Sequence, residues 1–286
     1  MADKTKAEDP RIIPARPDLA ALHLRGHVEA DAYASGQPMR IAVPAAPLTD
    51  SRDAYAPLTS QVLFGENFTA YEVEAGWAWG QCALDGYVGY VPEADLMPEP
   101  DTIPTHRVSA MQALIYPEAD IKTRPMGAVP LGSRMTVRDV DAGFAALDPG
   151  GFTPIRALKP LDEPEPLWVA TAERFVGIPY LWGGRSTAGV DCSGLVQIAL
   201  QSAGMSCPRD SDQQQAALGR DVTNAVRKRG DIVFWKGHVG IMTSPTKILH
   251  ANAHHMETAI ESYEGAVSRI GKNEFGEILA IKRITV

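Results

Sequence analysis

Short runs that alternate apolar and polar residues, broken by glycine, fill much of the first half of the chain. The runs LFGENFTAYEV, GWAWGQCAL and GYVGYV follow one another between positions 63 and 91, and SRMTVRDV and GFAAL lie between positions 133 and 147. A period of two residues is typical of a half-buried strand, and glycine supplies the turns between such strands. We therefore predict small antiparallel β-barrels in this half of the chain.

Valine and glycine positions of the first set of runs recur in the second set at a constant offset of 67 residues. The matching pairs are Val62 and Val129, Gly65 and Gly132, Val73 and Val140, and Gly76 and Gly143, with Trp77 opposite Phe144. A constant offset indicates a duplicated unit. The segments LFGE, GWAWG and DGYVGYVP resemble the SH3-like domains of bacterial wall-associated enzymes, and the second copy keeps few of their aromatic residues.

Two proline- and acid-rich stretches divide the chain. Residues 97–104 and 159–166 have the composition of linkers, because proline and clustered charge oppose helix and sheet formation. Weak apolar periodicity from Leu19 to Ala32 predicts a helix near the start of the chain. The predicted parts are an N-terminal segment, two barrels and a final domain, over residues 1–35, 36–97, 98–160 and 161–286.

The apolar period changes to that of a helix after the second linker. Residues 167–176 predict a short helix, and residues 192–203 predict a second one that ends at Gly204. Strand-like runs follow at 231–235, 238–242, 247–250 and 277–286. A helix followed by successive strands predicts an α+β domain.

Composition and charge exclude several classes of protein. The 286 residues are 45% hydrophobic, which is enough to fill two or three cores, and the net charge is −8. Nucleic acids and anionic membranes attract basic surfaces, so neither is an expected partner. Neither a span of about 18 apolar residues nor the apolar core of a secretory signal is present, so we expect a cytoplasmic protein.

Cys192 lies at the predicted start of the second helix. Asp191 is a good N-cap residue, so the thiol falls in the first helical turn. Free backbone N–H groups and the positive end of the helix dipole lower a thiol's pKa there, and the same N–H groups can hold an oxyanion. We therefore predict a nucleophilic thiolate near neutral pH, whereas Cys82 and Cys207 fit buried structural cysteines.

Two histidines are expected beside each other in the predicted sheet. His238 begins the run 238–242, where an imidazole can face the end of a helix. His250 ends the run 247–250, and in an antiparallel hairpin the start of one strand neighbours the end of the next. A third group that orients the base completes a nucleophile–base pair, and Asn252 is an alternative to His250 in that role.

The ordered segments DCSGLV, PRDS, GDIVFW with HVGI, and ILHA resemble the NlpC-type papain-like cysteine peptidases over about residues 167–260. This resemblance implies an α+β, papain-like NlpC-type catalytic domain preceded by two small SH3-like β-barrels. It implies Cys192 as nucleophile, His238 as base and His250 as orienting residue. The implied reaction hydrolyses the bond between γ-D-glutamate and a diamino acid in murein stem peptides, and it needs no metal or organic cofactor.

The resemblance extends to the choice of substrate. In similar cytoplasmic wall-recycling peptidases an SH3-like unit blocks one end of the cleft, so that only short peptides with a free amine enter, such as L-Ala-γ-D-Glu-diaminopimelate. Residues implied to bind substrate are Tyr180, Trp182, Asp191 and Ser193 along the cleft, and Arg209, Asp210 and Ser211 in a loop over the amino end. A carboxylate suits a bound ammonium, which makes Asp210 the first candidate, followed by Glu66 and by Tyr87 or Tyr90 of the first barrel.

Three other functions were weighed from the sequence. A zinc site built from Cys192, His238, His250 and His254 lacks a close ligand pair such as CxxC or HExxH. A wall-peptide binding module with a dead catalytic domain is disfavoured because both the cysteine and the histidine are present. An acyltransferase or amidase on the same scaffold is disfavoured because the acyltransferases of that scaffold often carry the histidine before the cysteine.

Overall fold

A computed structural model describes residues 9–284 and divides the chain into two units, residues 1–103 and 104–286. In the first unit, strand β1 (Leu19–Ala21) pairs in parallel with β2 (Ala32–Ala34), and a single 3-10 turn follows β1. The predicted helix over Leu19 to Ala32 is therefore wrong. Gly26 adopts a left-handed conformation (φ 87°), which ends any helical run, and the flanking residues pair as strands instead.

A seven-stranded antiparallel sheet forms the body of the first unit. Its strands are β3 (Gln37–Ile41), β4 (Ala45–Thr49), β5 (Leu58–Leu63), β6 (Asn67–Glu74), β7 (Trp77–Cys82), β8 (Val88–Pro92) and β9 (Leu96–Pro98), in the order β5-β4-β8-β7-β6-β3-β9. Alternate residues such as Leu48, Phe68 and Val91 point into one apolar core, because successive side chains of a strand face opposite sides. Cys82 is buried in this core and forms no disulfide.

The second unit begins with a smaller barrel of the same design. Its strands are β10 (His106–Val108), β11 (Gln112–Ile115), β12 (Gly127–Pro130), β13 (Arg134–Asp141), β14 (Phe144–Asp148), β15 (Phe152–Pro154) and β16 (Leu158–Pro160). Five of them form a sheet in the order β15-β14-β13-β10-β16, while β11 pairs with β12.

The local geometry of the two barrels confirms the duplication. Strands β6 and β13 are offset by 67 residues at both ends. A β-bulge interrupts the pairing of each strand with the next one at the same place. It lies between Ala70 and Glu72 of β6 and between Val137 and Asp139 of β13. Both hairpins turn through two left-handed residues, Ala75 (φ 52°) and Gly76 (φ 79°) in the first and Ala142 (φ 45°) and Gly143 (φ 85°) in the second.

Helices and a six-stranded sheet make up the rest of the second unit, as the α+β prediction requires. The helices are α1 (Trp168–Glu173), α2 (Cys192–Ser202), α3 (Ser211–Ala217) and α4 (Tyr263–Asn273). The strands are β17 (Arg185–Ser186), β18 (Gly189–Val190), β19 (Arg220–Asp221), β20 (Asp231–Trp235), β21 (His238–Ser244), β22 (Lys247–Asn252), β23 (Glu257–Ser262) and β24 (Ala280–Arg283).

The large sheet has the order β19-β24-β20-β21-β22-β23, and β17 pairs separately with β18. Helix α2 packs against β21 and β22, so the start of the helix lies close to the two histidine-bearing strands. Helix α4 buries Tyr263, Ala266 and Ile270 against apolar side chains of the sheet. Within residues 9–284, no helix is both long enough and apolar enough to traverse a bilayer.

Candidate active site

Cys192 occupies the first position of helix α2, as predicted. Asp191 has extended backbone geometry (φ −97°, ψ 179°), and its side chain accepts a hydrogen bond of 2.7 Å from the Gly194 N–H. This is N-cap geometry, which satisfies one of the free donors of the first helical turn. The nucleophile is therefore held by a capped helix rather than by a loop.

The electrostatic environment of the thiol differs from the prediction. Burial and the neighbouring Asp191 carboxylate raise the pKa of Cys192 to about 12, and they outweigh the backbone N–H groups of Val239 and Ser193 and the charge of Arg209, which lower it. The expected thiolate near neutral pH is thus wrong for the unliganded site. The backbone N–H groups at the start of the helix lower the pKa of the thiol as predicted, but desolvation of the sulfur raises it by more.

Val239, whose N–H bonds the sulfur, directly follows His238 on β21. The Nε2 atom of His238 lies 2.8 Å from Nδ1 of His250, so the two imidazoles are neighbours as the hairpin prediction required. Gly240 makes this possible, because a Cβ there would lie 2.7 Å from the Ile248 side chain and 3.4 Å from the Cβ of His250. The Phe275 ring stacks on the imidazole of His238 at a centroid distance of 5.1 Å and an interplanar angle of 11°.

Both imidazoles favour the neutral form. Burial lowers the pKa of His238 well below 6.5, with a further contribution from His250, and burial also lowers the pKa of His250 although Glu261 opposes it. Since the thiol pKa is raised and the imidazole pKa is lowered, the resting pair is a neutral thiol and a neutral imidazole. A neutral imidazole at His238 has the lone pair that a general base requires.

These two buried histidines predict a loss of stability in mild acid. The unfolded chain binds protons at these side chains from about pH 6.5 downward, whereas the native state resists protonation, so the free energy of unfolding is greatest above pH 6.5 and falls as the pH decreases. Urea unfolding at pH 7.5, 6.5 and 5.5 measures this slope. His238→Asn should make the slope shallower and His254→Gln, at an exposed loop position, should not; equal slopes in all three proteins would contradict the argument.

His250, and not Asn252, contacts His238. The Asn252 side chain donates to the backbone oxygen of His250 at 3.2 Å, and its Oδ1 accepts from the backbone N–H of His255 at 2.9 Å. Asn252 therefore supports the strand end and the following turn. Of the two alternatives for the third residue, the geometry favours His250.

Arg209 is completely buried and holds the start of α2. Its guanidinium donates to both carboxylate oxygens of Asp191, at 2.7 and 3.1 Å, and to Oγ of Ser193 at 2.9 Å. Asp191 also accepts from the Gly183 N–H at 2.9 Å. These contacts make Arg209, Asp191 and Ser193 hold the start of the helix that carries Cys192, and the substrate contacts predicted for them stay predictions.

Gly194 has a packing role at the start of α2. A Cβ at this residue would lie 2.3 Å from the backbone oxygen of Gly184, a distance that real Cβ atoms do not show. The absence of a side chain lets α2 approach the loop before it, and the Gly184 oxygen in turn accepts from the Asp191 N–H at 3.0 Å.

The remaining cleft residues differ in how closely they approach the thiol. Tyr180 is half-buried, and burial together with the nearby Cys192 and Asp191 raises the pKa of its phenol, which stays protonated. Trp182 is 67% exposed. Asp210 and Ser211 are partly buried at the start of α3, where the Gln213 side chain accepts from the Asp210 N–H at 3.3 Å. The substrate-binding roles of these residues stay predictions.

In the first unit, the predicted donors are part of the barrel itself. Glu66 is 2% exposed and its carboxylate accepts from the Leu63 N–H at 3.0 Å, while Tyr87 packs in the apolar core. The Tyr90 hydroxyl accepts a hydrogen bond of 2.7 Å from Arg16. Each has a structural partner inside its own unit, and their substrate contacts stay predictions.

A group of possible metal ligands lies behind the histidine pair. Ligand atoms of His250, His255 and Glu261 all lie within 4.8 Å of one another, a set different from the zinc ligands considered from the sequence. The Oε1 atom of Glu261 already accepts hydrogen bonds from His250 at 2.8 Å and from Arg269. A metal cation bound to this oxygen would therefore be repelled by the positive charge of Arg269, which contacts the same oxygen.

Sequence reasoning missed Glu261, Arg269 and Phe275. All three come from β23, α4 and the segment after α4, which were not assigned from the apolar pattern. The alternation in ETAIES, residues 257–262, is the signal that would have extended the hairpin of His250 by one more strand. No comparable local signal marks Phe275, which reaches His238 only through the packing of α4.

Two family descriptions match the regions just described. Residues 177–270 match the NlpC/P60 family, and residues 48–96 match the bacterial dipeptidyl-peptidase Sh3 domain. The chain therefore carries an NlpC/P60 domain with an N-terminal SH3-like domain, which confirms the resemblance seen in the sequence.

Individual relatives agree with this assignment. The gamma-D-glutamyl-L-lysine dipeptidyl-peptidase of Bacillus cereus is 26% identical over 227 residues, which are 68% of this chain and 67% of that protein. The Bacillus subtilis protein of the same name is 40% identical over 91 residues, 29% of this chain and 30% of the relative, and such local matches span about a third of the first relatives. A solved NlpC/P60 family protein from Bacillus cereus shares the fold, with a TM-score of 0.73, 19% identity, and coverage of 86% of this chain and 99% of that one.

Proposed function

We propose that this protein is a cysteine-type hydrolase that cuts the γ-D-glutamyl–diamino acid bond of short cell-wall peptides carrying a free N-terminal L-Ala. The observation that carries the proposal is the capped-helix thiol of Cys192 against β21, next to the hydrogen-bonded pair of His238 and His250. The two Bacillus relatives named gamma-D-glutamyl-L-lysine dipeptidyl-peptidase support this class of bond.

The proposed reaction uses His238 as a proton carrier twice, first for the thiol proton, which leaves with the amine, and then for a proton of water, which returns to the sulfur. As Sγ of Cys192 attacks the scissile carbonyl carbon, Nδ1 of His238 takes the thiol proton, since its Nε2 faces His250. The tetrahedral adduct collapses to a thioester, the C–N bond breaks, and His238 gives the proton to the leaving amine. Water then attacks the thioester with His238 as base, which restores the thiol and releases the γ-glutamyl carboxylate.

The negative charge that develops on the carbonyl oxygen of the substrate during attack needs hydrogen-bond donors close to that oxygen. The Ser193 N–H at the start of α2 already bonds the sulfur, as does the Val239 N–H of β21. The Tyr180 phenol, kept protonated by burial near Cys192, is a further donor of suitable chemistry. Donors fixed in advance stabilise an oxyanion without reorganisation during the reaction.

Recognition of a free amine is the finer part of the proposal. Asp210 is the first candidate, since its carboxylate lies at the start of α3, one residue after the arginine that anchors the nucleophile helix. A carboxylate–ammonium contact is charge-assisted and is lost when the amine is acylated.

The test uses four defined peptides: L-Ala-γ-D-Glu-diaminopimelate, the same peptide with lysine, and the N-acetylated form of each. We expect mass spectrometry to show L-Ala-γ-D-Glu and the free diamino acid portion from the unacylated peptides, and turnover at least about tenfold lower after acetylation because a charge-assisted contact is removed. Cys192→Ala should abolish turnover, whereas Cys207→Ala, at a buried cysteine of the same unit, should retain it. Equal turnover of acetylated peptide would overturn the free-amine proposal, and a new amide or ester in place of free products would indicate acyl transfer.

The compartment is part of the same proposal. A peptidase for short free peptides serves murein recycling, which takes place in the cytoplasm, so we propose a cytoplasmic location. Cell fractionation with an antibody to the protein, beside a cytoplasmic and a wall-associated marker, tests this. Recovery with the wall-associated marker would contradict it.

A further inference from the structure

Glu261 ends a chain of hydrogen bonds that begins at the active-site histidine. Strands β21, β22 and β23 are neighbours in the sheet, and they contribute His238, His250 and Glu261 respectively. The distance from Nε2 of His238 to Nδ1 of His250 is 2.8 Å, and that from Nε2 of His250 to Oε1 of Glu261 is also 2.8 Å. Arg269 of α4 contacts the same carboxylate and thereby holds it in place.

The charge of Glu261 determines which nitrogen atoms carry hydrogen. Although burial opposes ionisation, the hydrogen bonds from His250 and Arg269 and the charge of Arg269 lower the pKa of Glu261 to about 2. An ionised carboxylate only accepts hydrogen bonds, so Nε2 of His250 must carry a hydrogen. A neutral His250 then offers a lone pair at Nδ1, and His238 must donate to it from its own Nε2.

We propose that Glu261 is a positioning residue that holds both histidines in the Nε2–H tautomer and so reserves Nδ1 of His238 for the proton of Cys192. This inference rests on the proposed cysteine-hydrolase chemistry and adds to it the residue that sets the direction of the proton path. During attack the proton moves from Sγ to Nδ1, while the Nε2–H of His238 stays on its nitrogen and donates to His250.

The opposite tautomer would disable the base. If His250 carried its hydrogen on Nδ1, it would donate to Nε2 of His238, and a neutral His238 would then carry its hydrogen on Nδ1. Nδ1 of His238 would then have no lone pair with which to accept the proton of Cys192. A neutral amide at position 261 permits this reversal, because its NH₂ group can donate to Nε2 of His250.

The first experiment needs neither a substrate nor a variant. Nitrogen-15 NMR of the histidine rings in the wild-type protein at pH 7.5 distinguishes a protonated from an unprotonated ring nitrogen. We expect an unprotonated Nδ1 and a protonated Nε2 in both His238 and His250. A protonated Nδ1 on neutral His238 would overturn the proposal, and this readout stands even if no cell-wall peptide is a substrate.

The second experiment compares Glu261→Gln with wild type by NMR and by kinetics on whichever peptide the wild type cleaves. We expect loss of the single tautomer and a fall in kcat of roughly 10- to 100-fold, as for other carboxylates that orient a functional histidine, with KM within about twofold. Glu264→Gln, an exposed residue in the first turn of α4, removes the same charge without touching either histidine and should match wild type.

Two results would reject the positioning role. Unchanged tautomers in Glu261→Gln would show that another group sets them, even if kcat falls. Altered tautomers with unchanged kcat would show that the reaction does not depend on the nitrogen that Glu261 reserves. Absence of turnover in the wild type, by contrast, would reject the proposed substrate and leave the NMR result to decide the tautomers.

Discussion

Replacement of His238 by alanine is expected to lower kcat/KM for the cleaved peptide by about 10²- to 10⁴-fold, the range that a general acid–base residue contributes. The effect should be this large because the thiol is neutral at rest: its pKa is raised to about 12, so little thiolate forms without a base. The His238 imidazole favours the neutral, proton-accepting form, and the next residue on β21, Val239, bonds the sulfur through its N–H. Steady-state kinetics at pH 7.5 measure the loss.

His254→Ala is the matched control for this prediction. His254 is an exposed histidine of the turn after β22 and packs edge-on against His255, at a centroid distance of 4.8 Å, without contacting the catalytic pair. It should keep kcat/KM within about twofold of wild type, as surface substitutions away from a site usually do. A loss below tenfold for His238→Ala, in a variant whose circular dichroism matches wild type, would contradict the general-base role.

Replacement of Arg209 by methionine should lower the free energy of unfolding of the second unit by about 3–5 kcal/mol, the cost of leaving one buried charge unpaired. The reason is that the carboxylate of Asp191, which is 8% exposed, would lose the guanidinium that now contacts both of its oxygens. Because Asp191 caps the helix that carries Cys192, kcat should fall as well. Urea denaturation followed by circular dichroism measures the stability loss.

The chain offers a surface ion pair for comparison. Arg229 contacts Glu173 at 2.7 Å, but the two side chains are 46% and 31% exposed. Arg229→Met should therefore cost less than about 1 kcal/mol, because water screens an exposed pair and solvates the partner left behind. If Arg209→Met and Arg229→Met destabilise the protein equally, the buried pair does not have the structural importance argued here.

Much of the architecture was predictable because it follows from local patterns. Strands β20 to β22 follow from continuous apolar runs, and β20 has the predicted bounds, residues 231–235. The repeat is visible in the sequence because glycine is needed wherever φ is positive, so Gly76 and Gly143 mark the same turn in both barrels. The start of α2 is predictable for a similar reason, since an aspartate before a helical run satisfies the free N–H groups.

The failures share a different cause. The helix expected near Leu19 rested on weak periodicity, and strand pairing with residues 32–34 outweighed it. The thiol pKa was argued from the helix end alone, whereas burial and the Asp191 charge have the larger effect. The contacts of Arg209 with Ser193 and Asp191 were not predicted, because they join residues 16 and 18 positions apart in the chain.

Residue types and their order predicted a cysteine nucleophile on a helix, a histidine base on the following sheet and two small barrels before them. Those features depend on backbone preferences and on neighbours within a few positions, which the sequence displays directly. The protonation of the site, the burial of Arg209 and the link from His238 through His250 to Glu261 depend on side chains brought together from separate elements. Desolvation and charge pairing act through space, so these properties became visible only when the strands were assembled in the sheet.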